Sequence, residues 1–560
     1  MPRPSPGFRV AVAVCLGTAL SAASGAAQKA PDGFKVTDPT LISRCAGCHV
    51  VGADGLMGRI SFLRKTPEGW QTSIRRMAAL HDVQVTPEEA RSIVRYLSNS
   101  QGIAPEELRP GLFEVERRLV DYDYPGDSQV ELTCMSCHSM GRVITERRTR
   151  EEWGLLLATH RALYPLVDFQ AFRRPGPVEP SKDGSPTDER HPMDRAIDHL
   201  SAVFPLKTPE WSAWEATKRP PQLTGTWALS GYEPGKGSVY GTVTVQANPE
   251  DPDAFTTTAE YTYAESQRHE QRTGQALVYT GYQWRGRSAP DTDDEFREVM
   301  FVERDQREMH GRWFRGAYDE MGPDVTLRKL GADAVLTGAW PQAVRRGGSA
   351  TVHVFGGRLP QSATADQIDF GSGVHVDGVE AKDDGSLALR VTVDAHAPVG
   401  TRDLFAFGTS LQGALTVHDG VDRITATPEH GMARVGGGNF PKGYQIFEAI
   451  GWDNGPDGKP DTPDDLKLGR VPATWSVEEY TATFGDDDLD WVGAMAADGT
   501  FTPALDGPNA ERSGHRNNIG DVWAVATYQE DGGTPLRARA HLLVTVPLYM
   551  RFEPWREVPR

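Results

Sequence analysis

Cysteine is scarce in this sequence, with five residues in 560. That excludes a disulfide-dense extracellular scaffold, which spends about 8–10% of its residues on cysteine. Basic charge is also short: 59 Lys and Arg against 77 Asp and Glu leave a formal net charge of −18. Nucleic-acid binding needs a basic face that displaces phosphate counterions, so no nucleic-acid partner is expected. Long apolar runs are missing too. After the first 20 residues nothing approaches the roughly 18 consecutive apolar residues of a membrane-spanning helix, so no stable membrane anchor is expected. There is no nucleophile elbow, phosphate loop or zinc-protease motif, and no acid–base catalyst is assigned to this chain.

What is present begins with a targeting pattern. Arg3 and Arg9 precede the apolar run Val10–Leu20, and small residues follow at Ser21–Ala27. This reads as a secretory signal over 1–27, cleaved near Ala26 or Ala27, and predicts a periplasmic mature protein. Cys15 leaves with the signal. The four remaining cysteines form two pairs, Cys45/Cys48 and Cys134/Cys137, each followed directly by a histidine, His49 and His138.

C-x-x-C-H places two thiols where they can bond the two vinyl-derived carbons of a haem, with the adjacent His held beneath the iron. A four-ligand zinc centre would require both pairs to converge, and an exported chain disfavours it. A thioredoxin-like dithiol would need a βαβ setting, which is absent. Two covalently bound c-type haems are therefore expected, at Cys45/Cys48 with His49 and at Cys134/Cys137 with His138.

An internal repeat points to the sixth ligands. A shift of 83 residues aligns Arg59 with Arg142, Arg64-Lys65-Thr66 with Arg147-Arg148-Thr149, Glu68 with Glu151 and Trp70 with Trp153, without a gap. Thr66-Pro67 and the box Thr149-x-x-Glu152 each start a helix. Seven residues past each Trp, on the same helix face, stand Met77 and His160. Thioether and imidazole are the usual distal ligands of low-spin c haems. The repeat thus favours His49/Met77 for one iron and His138/His160 for the other. Met57 and His81 compete with Met77, and His191 and His199 with His160, but none falls on the repeat. Met140 follows His138 too closely to reach the distal face.

Length alone predicts several domains. Two tandem cytochrome folds fill 28–205, an all-α dihaem domain with a polar, Pro-rich insertion between Arg173 and Pro192. Alternation then replaces helical spacing. Strands at Leu223–Gly231, Ser238–Ala247, Phe255–Ala264, Ala276–Gly286 and Glu298–Val302 predict an antiparallel barrel or sandwich over 220–335. Strands at Ala350–Phe355, Leu387–Val393, Asp403–Phe407 and Ala414–Val417 predict an immunoglobulin-like sandwich over 336–420. Tyr444–Trp452, Tyr480–Phe484, Val522–Tyr528 and Arg537–Val546 predict a further sandwich over 421–560. The Asp-rich segment 453–461 has the oxygen density that calcium favours, but lacks the closing Glu of an EF-hand and reads more simply as a turn. Asp486-Asp487-Asp488 and Asp490 read as a solvated loop.

The twin C-x-x-C-H sites, the Arg-Ile…Arg-Lys-Thr-Pro-Glu-Gly-Trp repeat and the three trailing β-domains resemble the large α subunit of quinohaemoprotein amine dehydrogenase. The likeness covers essentially the whole mature chain and is strongest over 41–165. It implies a periplasmic heterotrimer in which a β-propeller subunit packs beside this one and a small γ subunit holds cysteine tryptophylquinone. Primary amines would be oxidised there to aldehyde and ammonia. The electrons would pass through two haems on this chain to a soluble acceptor such as a small cytochrome c or blue copper protein. The resemblance also implies one His/Met and one bis-His haem, and puts the catalytic quinone and base on another chain. Competing readings are a dihaem subunit of an alcohol or sugar dehydrogenase, an exported adhesion protein with incidental haem, and a dihaem peroxidase.

Overall fold

Capping chemistry fixes the helices of the N-terminal third. The computed structural model describes residues 33–111, 124, 126–135, 138–169, 172, 190–290, 292–481, 487–530 and 532–548. The signal-like segment 1–27, Cys137, most of the Pro-rich insertion and Asp486 lie outside the described residues. Helix α1 (Pro39–Cys45) starts where the Asp38 side chain accepts from the Leu41 N–H. Helix α2 (Pro67–His81) has Thr66 as N-cap and Pro67 in its first turn, and it stops at Asp82, whose φ is 52°. Helix α3 (Pro87–Ser100) opens with a reciprocal box between Thr86 and Glu89. It buries Ala90, Ile93, Val94 and Leu97, the i, i+3, i+4, i+7 stripe of an amphipathic helix.

A short connector helix α4 (Pro105–Leu108) leads towards the second copy of the repeat. That copy holds α5 (Ser128–Met135), α6 (Gly141–Ile144), α7 (Arg150–Leu163) and α8 (Pro192–Val203), and α9 (Pro209–Thr217) follows it. Each copy has its own core, built around Trp70 in the first and Trp153 in the second. The helical region also contains one small sheet. Strand β1 (Leu63–Lys65) pairs antiparallel with β2 (Glu146–Arg148), with Arg64 directly opposite Arg147. These two arginines are equivalent in the repeat, so the copies meet about a local twofold axis.

The next eight strands form a closed up-and-down barrel. In order they are β3 (Gly225–Glu233), β4 (Gly237–Asn248), β5 (Asp251–Tyr263), β6 (Arg268–Tyr279), β7 (Gln283–Ser288), β8 (Phe296–Val302), β9 (Glu308–Phe314) and β10 (Asp324–Lys329), with β10 closing on β3. Alternate residues such as Val239, Val243 and Val245 fill its core with Trp227, Trp284 and Phe296. The expected single strand Ala276–Gly286 is two strands, β6 and β7, joined by a turn at Thr280 and Gly281. Both turn residues have positive φ, 57° and 80°. Strands β9 and β10 were not anticipated.

The following region is a two-sheet sandwich. Strands β11 (Val335–Trp340), β13 (Ser349–Gly357), β16 (Leu387–Val393) and β15 (Val374–Ala381) form one sheet. Strands β12 (Ala343–Arg345), β18 (Thr409–His418), β17 (Gly400–Ala406) and β14 (Ile368–Asp369) form the other. The last region packs two smaller sheets, β19 (Arg423–Thr427), β22 (Glu448–Asp453) and β23 (Leu466–Arg470), and β21 (Gln445–Ile446), β26 (Thr500–Pro503) and β25 (Gly493–Met495), around a four-stranded one made of β20 (His430–Arg434), β28 (Leu536–Thr545), β27 (Gly520–Tyr528) and β24 (Thr474–Glu479). A strand precedes the one expected at Tyr480–Phe484, at Thr474–Glu479; Tyr480 is a bend, and residues 482–484 of that expectation lie outside the described residues.

The first copy is docked onto the barrel through the end of α3. Asn99 Oδ1 accepts from the Thr280 N–H at 2.6 Å, and the Thr280 hydroxyl donates to the Ser98 carbonyl at 2.9 Å. Arg95 forks onto Asp251 and reaches Asp253 at 2.8 Å.

Candidate haem sites

At the first site the chain continues to turn past the end of α1. The His49 N–H donates to the Cys45 carbonyl at 2.9 Å, and the Cys48 N–H to the same carbonyl at 3.2 Å. That turn gathers Cys45, Cys48 and His49. Cys45 is half-buried and Cys48 exposed. Burial, and then the nearby Cys48, push the Cys45 thiol above its ordinary pKa, so it stays protonated. His49 Nδ1 lies 2.9 Å from the Gly58 carbonyl. A carbonyl can only accept, so Nδ1 carries the proton and Nε2 keeps a lone pair for a metal.

Met77 is half-buried on α2, one face-repeat beyond Trp70. Its rivals have other surroundings. Met57 is wholly buried in the core of the first copy, and its N–H donates to Ser61 Oγ at 2.7 Å. His81 is exposed at the end of α2.

At the second site His138 Nδ1 donates to the Ser139 carbonyl at 2.8 Å, and His160 Nδ1 to the Leu156 carbonyl at 2.9 Å. Both rings are thereby left with a basic Nε2. Burial lowers the His138 pKa and favours the neutral, ligating form. The two ring centres are 6.3 Å apart. A metal bonded to one nitrogen of each ring, at about 2 Å per bond, needs ring centres about 6 Å apart, so this pair fits a shared iron. Cys134 is half-buried on α5. Met140 is wholly buried in the core of the second copy. His191 is the N-cap of α8 and accepts from the Met193 N–H at 3.1 Å, while His199 Nε2 lies 2.5 Å from the Tyr124 hydroxyl.

The repeat extends to single hydrogen bonds. Trp70 Nε1 donates to the Gln101 carbonyl at 3.4 Å, and Trp153 Nε1 to the Phe204 carbonyl at 3.2 Å. The same two carbonyls accept from the N–H groups of Lys65 and Arg148. The helices that carry Met77 and His160 are thus each tied at their start to the end of their copy's closing helix. One expectation fails in detail. The Thr149 side chain accepts from the Glu152 N–H, but Glu152 does not return the bond; its carboxylate takes Arg59 Nε of the first copy at 2.9 Å. Half of the expected capping box is therefore spent on a link between copies.

Sequence reasoning missed Glu107, on α4. It receives Arg64 as a two-pronged fork at 2.7 Å per bond and Arg147 Nε at 3.1 Å. Burial alone would raise its pKa; the bonds from Arg64 and the charge of Arg147 outweigh that and bring it down to about 2. Its position outside the repeat left no signal.

Residues 35–176 match the family described as quinohemoprotein amine dehydrogenase A, alpha subunit, haem binding. Residues 220–330, 333–419 and 424–555 match domains II, III and IV of the same alpha subunit. The chain belongs to the quinohemoprotein amine dehydrogenase alpha-subunit family. Its haem-binding match spans Cys45 to His160, and its multidomain plan of a helical haem-binding region followed by several β domains, one an eight-stranded barrel, is that of the family. No curated protein matches it by sequence. Among solved structures, a redesigned β barrel aligns with 20% of this chain and 97% of its own, at 14% identity and a TM-score of 0.18. A mouse clustered protocadherin fragment, PcdhgC3 EC1-3, aligns with 44% of this chain and 85% of its own, at 11% identity and a TM-score of 0.15.

Elsewhere in this alpha-subunit chain each acidic segment has one buried carboxylate, Asp453 in the first and Asp488 in the second, while Asp457, Asp461 and Asp490 are exposed. Asp453 accepts from the N–H groups of Asp419 and Gly455, both at 2.8 Å, and Asp465 pairs with Arg423. Among the described residues no group of His, Cys, Asp and Glu is arranged to hold a metal ion. Asp488 is not part of a solvated loop: it is buried and, with Asp487, grips the fully buried Arg512 side chain. Among the described residues no helix is long and apolar enough to cross a membrane.

Proposed function

We propose that this chain is the dihaem electron-transfer subunit of a periplasmic quinohaemoprotein amine dehydrogenase. Cys45 and Cys48 would attach one haem c, ligated by His49 and Met77, and Cys134 and Cys137 a second, ligated by His138 and His160. The observation that carries the reading is the His138/His160 pair, with rings 6.3 Å apart and both Nδ1 atoms tied to carbonyls, inside the family's haem-binding segment. Haem iron, when bound, supplies one-electron exchange without an acid–base partner. This chain's part is to fix ligand tautomers, exclude water around the rings and hold the two sites in a fixed relation.

The quinone, cysteine tryptophylquinone, belongs to a small partner subunit, and a β-propeller subunit completes a heterotrimer. Primary amines are oxidised at the quinone to aldehyde and ammonia, and a soluble cytochrome c or blue copper protein takes the electrons. Residues 1–27 are the export signal, and 28–205, 220–335, 336–420 and 421–560 are the working domain bounds. Thioether ligation raises reduction potential relative to imidazole, so electrons enter at the His138/His160 site and leave from the His49/Met77 site.

The test is anaerobic titration of the purified complex with a primary amine, following the haem bands, together with a haem count per chain. Stepwise reduction of two haems per chain is the expected result. A haem-bearing chain that purifies without a quinone-bearing partner, and whose bands ignore amines, would overturn the reading.

A further inference from the structure

The two copies of the repeat are joined by a buried charge system that the repeat itself does not contain. Arg64 and Arg147 occupy equivalent positions and face each other across the β1–β2 ribbon, at 0% and 5% exposure. Like charges directly opposite on an antiparallel pair repel, and burial removes the water that would screen them. Glu107 sits between them. Its Oε2 and Oε1 accept from Arg64 Nη1 and Nη2 at 2.7 Å, and Oε1 also accepts from Arg147 Nε at 3.1 Å and from the Thr208 hydroxyl at 2.7 Å. Arg64 Nε donates in addition to the Leu206 carbonyl at 2.6 Å. Four segments therefore converge on one carboxylate: the first copy, the second copy, the connector, and the chain leaving the second copy.

The connector is anchored in its turn. The hydroxyl of Tyr282, in the turn between β6 and β7, donates to the Ile103 carbonyl at 2.9 Å, and Arg109 pairs with Glu303 at 3.0 Å, as Arg304 does with Glu106. Glu107 thus stands on a segment held by the barrel and takes hold of both copies. The Arg59–Glu152 link also joins the copies, but Arg59 is 43% exposed, and a pair open to solvent at one end constrains less than a buried fork.

We propose that Glu107 is a positioning residue for electron transfer between the two haem sites, fixing their spacing and orientation by holding Arg64 and Arg147 together across the local twofold axis. This rests on the dihaem reading above. The transfer moves one electron and no atoms, so its rate depends on geometry and potentials, and Glu107 touches neither iron. With the carboxylate neutralised, two buried guanidinium groups face each other uncompensated and the ribbon opens.

The test uses the complete complex with Glu107→Gln and, separately, Arg147→Lys, which keeps the charge balance but loses the guanidinium that bonds Glu107 through Nε and the Ile144 and Glu146 carbonyls through Nη1. The readouts are haem content per chain, the rate of inter-haem transfer after pulsed reduction, and the magnetic dipolar coupling between the two ferric haems. Both variants are expected to retain two low-spin haems, to slow inter-haem transfer by about tenfold or more, and to weaken the coupling. A variant that is merely less stable would lower the melting temperature and leave the rate and coupling alone. Unchanged rate and coupling in either folded variant overturns the proposal; should Glu107→Gln fail to fold, Arg147→Lys decides it. Fewer than two haems in the unmutated complex sinks the dihaem reading and this inference with it. Two haems with unchanged transfer in a variant sinks this inference alone.

Discussion

At the scale of single residues, two buried carboxylates shift in opposite directions because only one of them has arginines that outweigh burial. Glu107 is held down to about 2 by its arginines, so its contribution to stability is complete above the unfolded carboxylate range and is lost as pH falls towards 2. Glu298, inside the barrel, accepts from Trp284 Nε1 at 2.9 Å, yet burial dominates and pushes it up to about 7. Its sign is reversed: the stability it permits is present below about pH 4.5 and is lost as pH rises through 7. Glu298→Gln keeps the acceptor and removes the titration. It should therefore raise stability at pH 8 by about 1–3 kcal/mol and change little at pH 4, read from denaturant midpoints at the two values. A gain of equal size at both would mean that the charge is not the cause. Met77→His should lower the potential of one haem and spare the other, by potentiometric titration; two unmoved potentials would point to a different ligand. His49 and His138 stand out in the sequence as candidates because their spacing to cysteine is local. Glu107 was not, because both its partners lie about 40 residues away in sequence and on different copies.

Among elements, the legible ones were those whose signals are short-range. The caps at Thr66 and Thr149 and the alternation in β4 and β16 each depend on neighbours within a few residues. The β6–β7 hairpin shows the limit. Thr280 takes a positive φ that a β-branched residue adopts only under constraint, so nothing in Tyr279-Thr280-Gly281 announced that both turn residues would lie there. The constraint comes from α3, whose Asn99 and Ser98 accept the backbone N–H and hydroxyl of Thr280. The hairpin tip and the helix end therefore stabilise each other. Asn99→Ala should strand the buried Thr280 N–H, cost about 1–3 kcal/mol in denaturant titrations and speed amide exchange at Thr280. Exchange unchanged at that amide would mean the turn holds its shape without the helix. The Glu152 carboxylate illustrates the same limit: its sequence position fits a capping box, and only the approach of Arg59 from the other copy diverts it.

Across the whole molecule, the barrel acts as the fixed body against which the haem region is placed. The first copy and the connector carry bonds to it, and the second copy is reached through the ribbon and Glu107. One of those bonds leads directly to a candidate ligand helix. Arg285 of β7, with its side chain 4% exposed, forks onto Glu68 in the first turn of α2, the helix that carries Met77. Burial alone would raise the Glu68 pKa, and the Arg285 charge lowers it instead. Arg285→Ala leaves that carboxylate buried without its partner, which costs about 3–5 kcal/mol and unsettles the start of α2. The barrel and α2 meet on the side of the first copy, so the disturbance has a definite address. The reduction potential and spectrum of the proposed His49/Met77 site should change, while those of the proposed His138/His160 site hold. Redox titration of the variant complex at two wavelengths separates the two. A shift shared equally by both sites would show that the ribbon passes on what the barrel imposes, and that the two copies respond as one body rather than as a docked unit and a tethered one.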